Sequence, residues 1–384
     1  MATANAAQCP QCAAPVGPAD SFCEVCGSEL GITAVSEGSP AVPCDRDGCG
    51  SSQVSDDGYC EQCGRKAASG RDHVELDLGV LVGVTDRGRK HLRNEDAMAL
   101  AAAQLPAGLA ALAVVCDGVS TSERPDEASL AAADRAVRVL ARELRAGSTE
   151  EAALLAAAQA AGTAVTELAG SSENAPAATY VSAVVTASAV TTCWLGDSRV
   201  YWLPAGPGSD PVLLTTDDSV STELIASGRA TEAEAIASPY GHVITRWLGA
   251  DADSEPAHTA RFEPAGSGVV LVCSDGLWNY QSDAAGLAAL AMPRALTDLP
   301  GAAADLLAFA LAAGGHDNIT VVLVPFPPRD PAVAGDPMAS GGGPPEASRH
   351  APPTQPNLRY KPQPTPPAQL TPPAQLTPPR SEPG

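Results

Sequence analysis

Residues Val269–Gly276 read VVLVCSDG. The apolar run Val269–Cys273 is too short for a helix and ends in turn residues, so it reads as a buried strand. Asp275 then stands at the rigid end of that strand. Gly276 lets the backbone turn and brings a carbonyl close to whatever the carboxylate binds. Three other stretches repeat the theme: VVCDG ends in Asp117-Gly118, HDN places Asp317-Asn318 just before the run ITVVLV, and Arg93–Asp96 reads RNED. One SDG turn is usually only a turn, but four acidic motifs at strand edges in one domain form a pattern. Converging carboxylates repel unless cations sit between them. Hard divalent ions, Mg²⁺ or Mn²⁺, take oxygen ligands and keep several waters. Two such ions about 3.5–4 Å apart make a site for in-line attack on phosphate.

Outward from these motifs, residues 75–325 alternate short apolar runs with Ala-rich segments. The runs predict strands over Leu78–Val84, Leu109–Cys116, Tyr180–Thr186, Val190–Leu195, Val200–Leu203, Val269–Cys273 and Ile319–Val324. Helices are predicted over 125–146 and 149–169, the second started by a capping box Ser148-x-x-Glu151. Further helices are predicted over 219–227, 231–237, 283–291 and 301–313. Strands and helices do not alternate regularly, which argues against a doubly wound parallel sheet. A layered α+β sandwich fits better, with the long helix pair on one face of a sheet.

The chain has 11 cysteines, of which Cys116, Cys193 and Cys273 sit in apolar runs and read as small core residues. The other eight fall into two similar halves before residue 64: Cys9, Cys12, Cys23, Cys26, and Cys44, Cys49, Cys60, Cys63. Four thiolates per half suit a closed tetrahedral Zn²⁺ site. The alternative is a disulfide framework, which needs an oxidising compartment. The N-terminus MATANAAQCP has no basic segment and no apolar stretch, so no export signal is expected and the cytoplasm is the default. Full zinc sites are structural, and such a segment owes most of its folding to metal. The pattern resembles a double zinc ribbon over about residues 8–65.

The expected layout is a zinc-ribbon module over 1–66, a linker over 67–75, the main domain over 76–326 and a disordered tail over 327–384. The tail holds PP, GGGPP and a repeated TPPAQL, and reads as a polyproline-like spacer. The net charge of the 384 residues is −22, concentrated in 71–328. A chain so acidic is a poor nucleic-acid binder, because phosphate binding runs on Lys and Arg. No apolar run reaches the roughly 18–20 residues of a membrane helix.

The ordered set GVTDRG…RNEDA, VVCDGVS, CWLGDSRVYWL, LLTTDDS, ITRWLG, LVCSDGLW and HDNITVVLV resembles the metal-dependent type 2C protein Ser/Thr phosphatases over roughly residues 78–325. The resemblance implies an αββα sandwich, two antiparallel sheets flanked by helices, with a di-metal site at one edge. It implies that Asp117 bridges two Mn²⁺ or Mg²⁺ ions and that the Gly118 carbonyl binds one of them. Asp275 and Asp317 would bind the other, Glu95 and Asp96 would hold metal-bound waters, and Asp197 with Asp275 would form a weaker third metal site. The implied nucleophile is a water activated by both metals, with no phosphoenzyme.

Four positions depart from the family pattern. His91 stands where an Arg grips the substrate phosphate, with Arg93 and Arg89 nearby as substitutes. His is less charged at pH 7 and cannot make a bidentate fork, so a weaker grip that improves as pH falls is expected. Ser120-Thr121 replaces two glycines, and Asp218 replaces a His. The implied function is hydrolysis of phosphoserine and phosphothreonine in phosphorylated proteins, opposing a bacterial Ser/Thr kinase on the same targets. The alternative is a pseudophosphatase or scaffold working through its ribbons and tail. Of the remaining residues, Trp194, Trp202, Trp247 and Trp278 read as packing residues and His316 as exposed or peripheral. His242 and His258 have no partner legible in the sequence.

Overall fold

A computed structural model describes residues 70–329, apart from short gaps at 170–174, 207, 232–233, 236–237, 239, 241–242 and 253–254. Before residue 70 it describes only short stretches, chiefly 23–27, 31–37 and 59–64. Cys9, Cys12, Cys44, His242 and the tail from residue 330 lie outside the described residues.

In chain order the elements are β1 (Gly31–Val35), β2 (His73–Asp77), β3 (Val82–Asp86), β4 (Asp96–Leu105), β5 (Gly108–Asp117), α1 (Pro125–Arg145), α2 (Glu150–Leu168), β6 (Ala177–Ala178), β7 (Tyr180–Val185), β8 (Val190–Leu195), β9 (Arg199–Pro204), β10 (Val212–Leu213) and α3 (Val220–Ala226). There follow β11 (Leu248–Gly249), β12 (His258–Phe262), β13 (Gly268–Cys273), α4 (Asp275–Trp278), α5 (Ala284–Ala295), α6 (Leu299–Ala313) and β14 (Ile319–Phe326). One sheet runs β1-β4-β5-β7-β8-β12 and the other β10-β9-β13-β14-β3-β2, with every neighbouring pair antiparallel.

Three apolar layers hold the sandwich. Between the sheets lie Met98, Leu100, Val115, Val181, Trp202, Val270 and Val322. The outer face of the first sheet packs on α1 and α2 through Ala99, Ala101, Leu112, Val114, Ala132, Ala136, Leu140 and Leu154. The outer face of the second packs on α5 and α6 through Val84, Leu271, Leu287, Leu306 and Val321. Strands buried on both faces read as continuous apolar runs, as the sequence shows. The architecture is therefore the expected αββα sandwich.

Several elements differ in detail. Leu78–Val84 is not one strand: Gly79 takes a positive φ and donates its N–H to Asp77 Oδ1, turning β2 into β3. Because β2 starts at His73, the end of the expected 67–75 linker is part of the second sheet. β4 was not legible as a strand, since DAMALAAAQL reads as helix-forming. Its alternate residues nonetheless face the helix layer and the other sheet, and that two-sided burial overrides propensity. α2 is capped by Thr149, whose Oγ1 accepts from the Ala152 N–H, whereas Ser148 donates to Glu143. The helix predicted over 231–237 falls partly outside the described residues, but Thr231 and Glu234 exchange the two bonds of a capping box there.

Candidate active site

The site lies where β4, β5, β13 and β14 end. Asp96 opens β4 and sits opposite Asp117, the last residue of β5, in the antiparallel register. Asp275 follows β13 as the first residue of α4, and Asp317-Asn318 precede β14. Asp197 lies in the turn between β8 and β9. The chain order thus places all five aspartates at one end of the sandwich.

Close backbone contacts fix the connecting turns. A Cβ on Gly276 would meet the Asn318 carbonyl at 1.8 Å, and one on Gly118 would meet the Pro125 carbonyl at 2.3 Å and that of Glu95 at 2.8 Å. Asn318 ties the loops together. Its Oδ1 accepts from the Glu95 N–H (2.7 Å), and its Nδ2 donates to the Arg87 (2.9 Å) and Arg93 (3.0 Å) carbonyls.

Behind the aspartates runs a buried polar network that the motifs did not reveal. Asp96 Oδ2 accepts from Ser274 Oγ and Thr320 Oγ1, both at 2.7 Å. Thr320 Oγ1 also meets Thr85 Oγ1 (2.7 Å), which accepts from Asn94 Nδ2 (2.9 Å). Arg71 donates to the main-chain carbonyls of Asp96 and Asp126. Arg199 pairs with Asp217 (2.7 Å) and lies 3.7 Å from the Trp278 ring centroid, while Trp278 Nε1 donates to the Asp197 carbonyl. The only sequence signal for these groups is a hydroxyl beside each motif, Ser274 in SDG and Thr320 in NIT.

The aspartates are burdened as a set. Burial pushes the Asp96 carboxyl up to about 6 and that of Asp197 up to about 7, the latter helped by the charge of Asp217. Burial, then the neighbouring aspartates, raises Asp117 and Asp275 well above the ordinary carboxylate range. Asp96 Oδ1 and Asp275 Oδ1 are buried without a hydrogen-bond partner. Cations fit such a set: oxygen donors, one sign of charge, and orphaned atoms that a cation would satisfy.

His91 and Arg93 are both at the site. His91 Nε2 is 3.1 Å from Asp317 Oδ1 and its Nδ1 is 3.8 Å from Glu95 Oε2. Arg93 lies between Asp126 (2.9 Å) and Glu95 (3.6 Å). Arg89 is exposed and makes no ion pair among the described residues. Ser120, where the family pattern has Gly, donates to Glu95 Oε2 (2.5 Å).

Asp218 and His258 turn out to be partners. His258 Nε2 is 2.8 Å from Asp218 Oδ1, and Asp218 Oδ2 accepts from the Gly196 N–H beside Asp197. Cys116, Cys193 and Cys273 are core residues whose thiols burial pushes up. Trp202 lies in the core and Trp194 and Trp278 at its margins, as packing residues, while Trp247 is half-buried and donates to Asp251. His316 is exposed.

Of the eight N-terminal cysteines the structure describes five. Cys49, Cys60 and Cys63 offer sulfurs all within 4.8 Å of one another, the only such ligand trio among the described residues. The backbone N–H of Cys63 holds the Cys60 thiol below its ordinary value. The knuckle turns of the two halves match: Gly27 donates to the Cys23 carbonyl and Gly64 to that of Cys60, with φ of 72° and 67°.

Residues 85–297 match the family model described as protein phosphatase 2C. The serine/threonine protein phosphatase PstP of Mycobacterium tuberculosis is 38% identical over 129 residues, 34% of this chain and 23% of PstP. The serine/threonine phosphatase stp of Listeria innocua is 33% identical over 155 residues, 39% of this chain and 57% of the relative. These matches therefore span only part of each relative. The crystal structure of the Mycobacterium tuberculosis phosphatase PstP/Ppp aligns with a TM-score of 0.52 at 26% identity, covering 66% of this chain and 99% of that one. No helix among the described residues is long and apolar enough to cross a membrane. By its fold, its ordered motifs and the family match over residues 85–297, the chain belongs to the protein phosphatase 2C family.

Proposed function

We propose that the protein hydrolyses phosphoserine and phosphothreonine in proteins, using Mn²⁺ or Mg²⁺. The observation that carries this reading is the set of buried, mutually repelling aspartates with orphaned oxygens on Asp96 and Asp275. A PstP catalytic domain of 24% identity has been solved with two manganese ions.

Asp117 would hold both ions, the Gly118 carbonyl one, and Asp275 and Asp317 the other. Glu95 and Asp96 would act through waters, and Asp197 with Asp275 would make the third, weaker site. Bound there, the cations would supply Lewis acidity, lowering the pKa of a water and offsetting phosphoryl charge. The chain's own groups orient that machinery. Ser274 and Thr320 fix the Asp96 carboxylate, Asn318 sets the Glu95 backbone, and Ser120 turns the Glu95 carboxylate. With Arg93 paired to two carboxylates, Arg89, exposed like Lys90 and without an ion pair among the described residues, would grip a substrate phosphate beside His91. Arg89→Gln then raises the inhibition constant of inorganic phosphate several-fold; an unchanged constant removes Arg89 from the site.

The layout carried forward is a cysteine module, a phosphatase domain starting near residue 70 rather than 76, and the Pro-rich tail. We infer that Cys9, Cys12, Cys23 and Cys26, and Cys44, Cys49, Cys60 and Cys63, each hold one structural Zn²⁺. The matching knuckle turns and the sulfur trio support that reading. The substrates would be phosphorylated proteins in the cytoplasm, shared with a Ser/Thr kinase. The competing reading is a scaffold without turnover, motivated by His91, Ser120 and Asp218. The deciding experiment is hydrolysis of a phosphothreonine peptide with Mn²⁺, Mg²⁺ or EDTA, beside Asp275→Asn. Turnover that EDTA and the variant both abolish is expected. A folded, zinc-loaded chain that shows none with any metal is a scaffold.

A further inference from the structure

Strand β1 comes from the stretch between the two cysteine sets, Cys26 on one side and Cys44 on the other, yet it is part of the main sandwich. Gly31–Val35 pair with Ala103–Ala99 of β4 in antiparallel register. Without β1, β4 would be the sheet's edge, since the order runs β1-β4-β5.

The pairing is anchored at its end. Ser36 N–H donates to the Met98 carbonyl and Ser36 Oγ accepts from the Met98 N–H, both at 2.9 Å. Ser36 is 1% exposed. Antiparallel strands alternate hydrogen-bonded pairs, so the next N–H aimed at β4 is that of Ala34. Val35 packs on the helix-facing layer and Ala34 on the layer between the sheets, so both faces of β1 continue the core.

A long apolar edge strand is an open template for another chain, and natural proteins cover such edges. β4 is ten residues long, and its Ala97–Ala103 are all buried with β1 in place. However, a five-residue strand gains little by pairing against the chain entropy lost. Something must hold it near, and a folded metal knot on each side would shorten the free chain and raise the effective concentration of β1 at β4.

We propose that the outer edge of β4 is a docking edge for the cysteine module, and that zinc in the flanking cysteine sets keeps β1 on it. The metal state of the N-terminal module is then felt on the strand that starts at Asp96. The proposal rests on the zinc reading and not on phosphatase activity, and its test reads no turnover.

The test is hydrogen exchange of the full chain in zinc-loaded, zinc-stripped, Cys60→Ser and Ala34→Pro forms, with 269–273 of β13 as internal reference. Stripping zinc and each substitution should speed exchange of the Met98, Leu100 and Ala102 amides, which face β1, about tenfold or more and leave 269–273 unchanged. Ser36→Ala should do the same to a smaller degree. Protection of Met98, Leu100 and Ala102 that survives zinc removal, or that is lost equally over 269–273, overturns the coupling. Protection that survives Ala34→Pro overturns the docking itself.

Discussion

The middle of the sandwich and its acidic end are built from the same strands and are almost equally buried, yet burial acts on them in opposite directions. In the middle, Val115, Val181, Trp202, Val270 and Val322 leave water entirely, each contributing roughly 1.5–3 kcal/mol to the fold. A few residues along β4, β5 and β13, the same burial meets Asp96, Asp117 and Asp275 and drives these acids toward their protonated forms. The contrast teaches that the sandwich supplies the stability which the acidic end spends. Such strain is kept only where surrounding structure over-determines it, here by Asn318, Ser274 and Thr320.

The most severe way to break this contrast is to remove one charge. Asp275→Asn keeps the shape and can still accept from Asn279 Nδ2, which now donates to Asp275 Oδ2. Activity should fall by about a thousandfold or more, since the direct cation ligand proposed for the site is lost. Metal-free stability should rise instead, by a few °C in melting temperature, because the repulsion with Asp197 and Asp317 is relieved. Melting in EDTA and peptide hydrolysis check the two halves; a variant less stable than wild type in EDTA would show that the acidic end is not strained.

The next effect is a pH dependence. Asp96 and Asp197 have folded values of about 6 and about 7, above the ordinary 3.8. The contribution of a group raised in this way is present below its unfolded value and lost as pH rises through the folded one. Metal-free protein should therefore lose stability from these groups between about pH 4 and pH 7. Protons and Mn²⁺ compete for the same oxygens, so stabilisation by a fixed Mn²⁺ concentration should grow over that window. Thermal unfolding from pH 5 to pH 8, with and without Mn²⁺, measures it. A Mn²⁺ shift that does not change with pH would mean that these carboxylates are not the cation ligands.

The two regions also differ in how far the sequence exposed them. β13 and β14 were legible because a strand covered on both faces must be apolar throughout. β4 was not, because alanine is small enough for a crowded sheet and is also the best helix former. β2 and β12, HVELD and HTARF, lie at the outer edges of their sheets, where one-sided exposure admits polar residues that blur the pattern. At the site, Asp117, Asp197, Asp275 and Asp317 were each marked by the turn glycine or asparagine beside them. Thr85, Ser274, Thr320 and Arg71 carry no such mark. Their partners lie up to 235 residues away, as between Thr85 and Thr320, and only the register of β3 on β14 joins them.

The finest test uses Asp86, a buried carboxylate one residue pair from the site, since Asp86 faces Ile319 in the register. Unlike Asp275 it is provided for: His73 Nδ1 lies 2.7 Å from Asp86 Oδ2, and the Gly88 N–H donates to Oδ1. The hydrogen bond to Asp86 leads the causes that raise the His73 imidazole above its ordinary 6.5, against the opposing pull of burial. By the same linkage, the stabilising charge on His73 is fully present below pH 6.5 and fades as pH rises through the raised value. His73→Gln should thus destabilise the protein by about 1 kcal/mol near pH 6, with the gap narrowing toward pH 9. Parallel melting curves of the two proteins across that range would show that Asp86 needs no counter-charge. A closing gap would instead show that what separates Asp86 from Asp275 is a partner, supplied by the chain at one and left for a cation at the other.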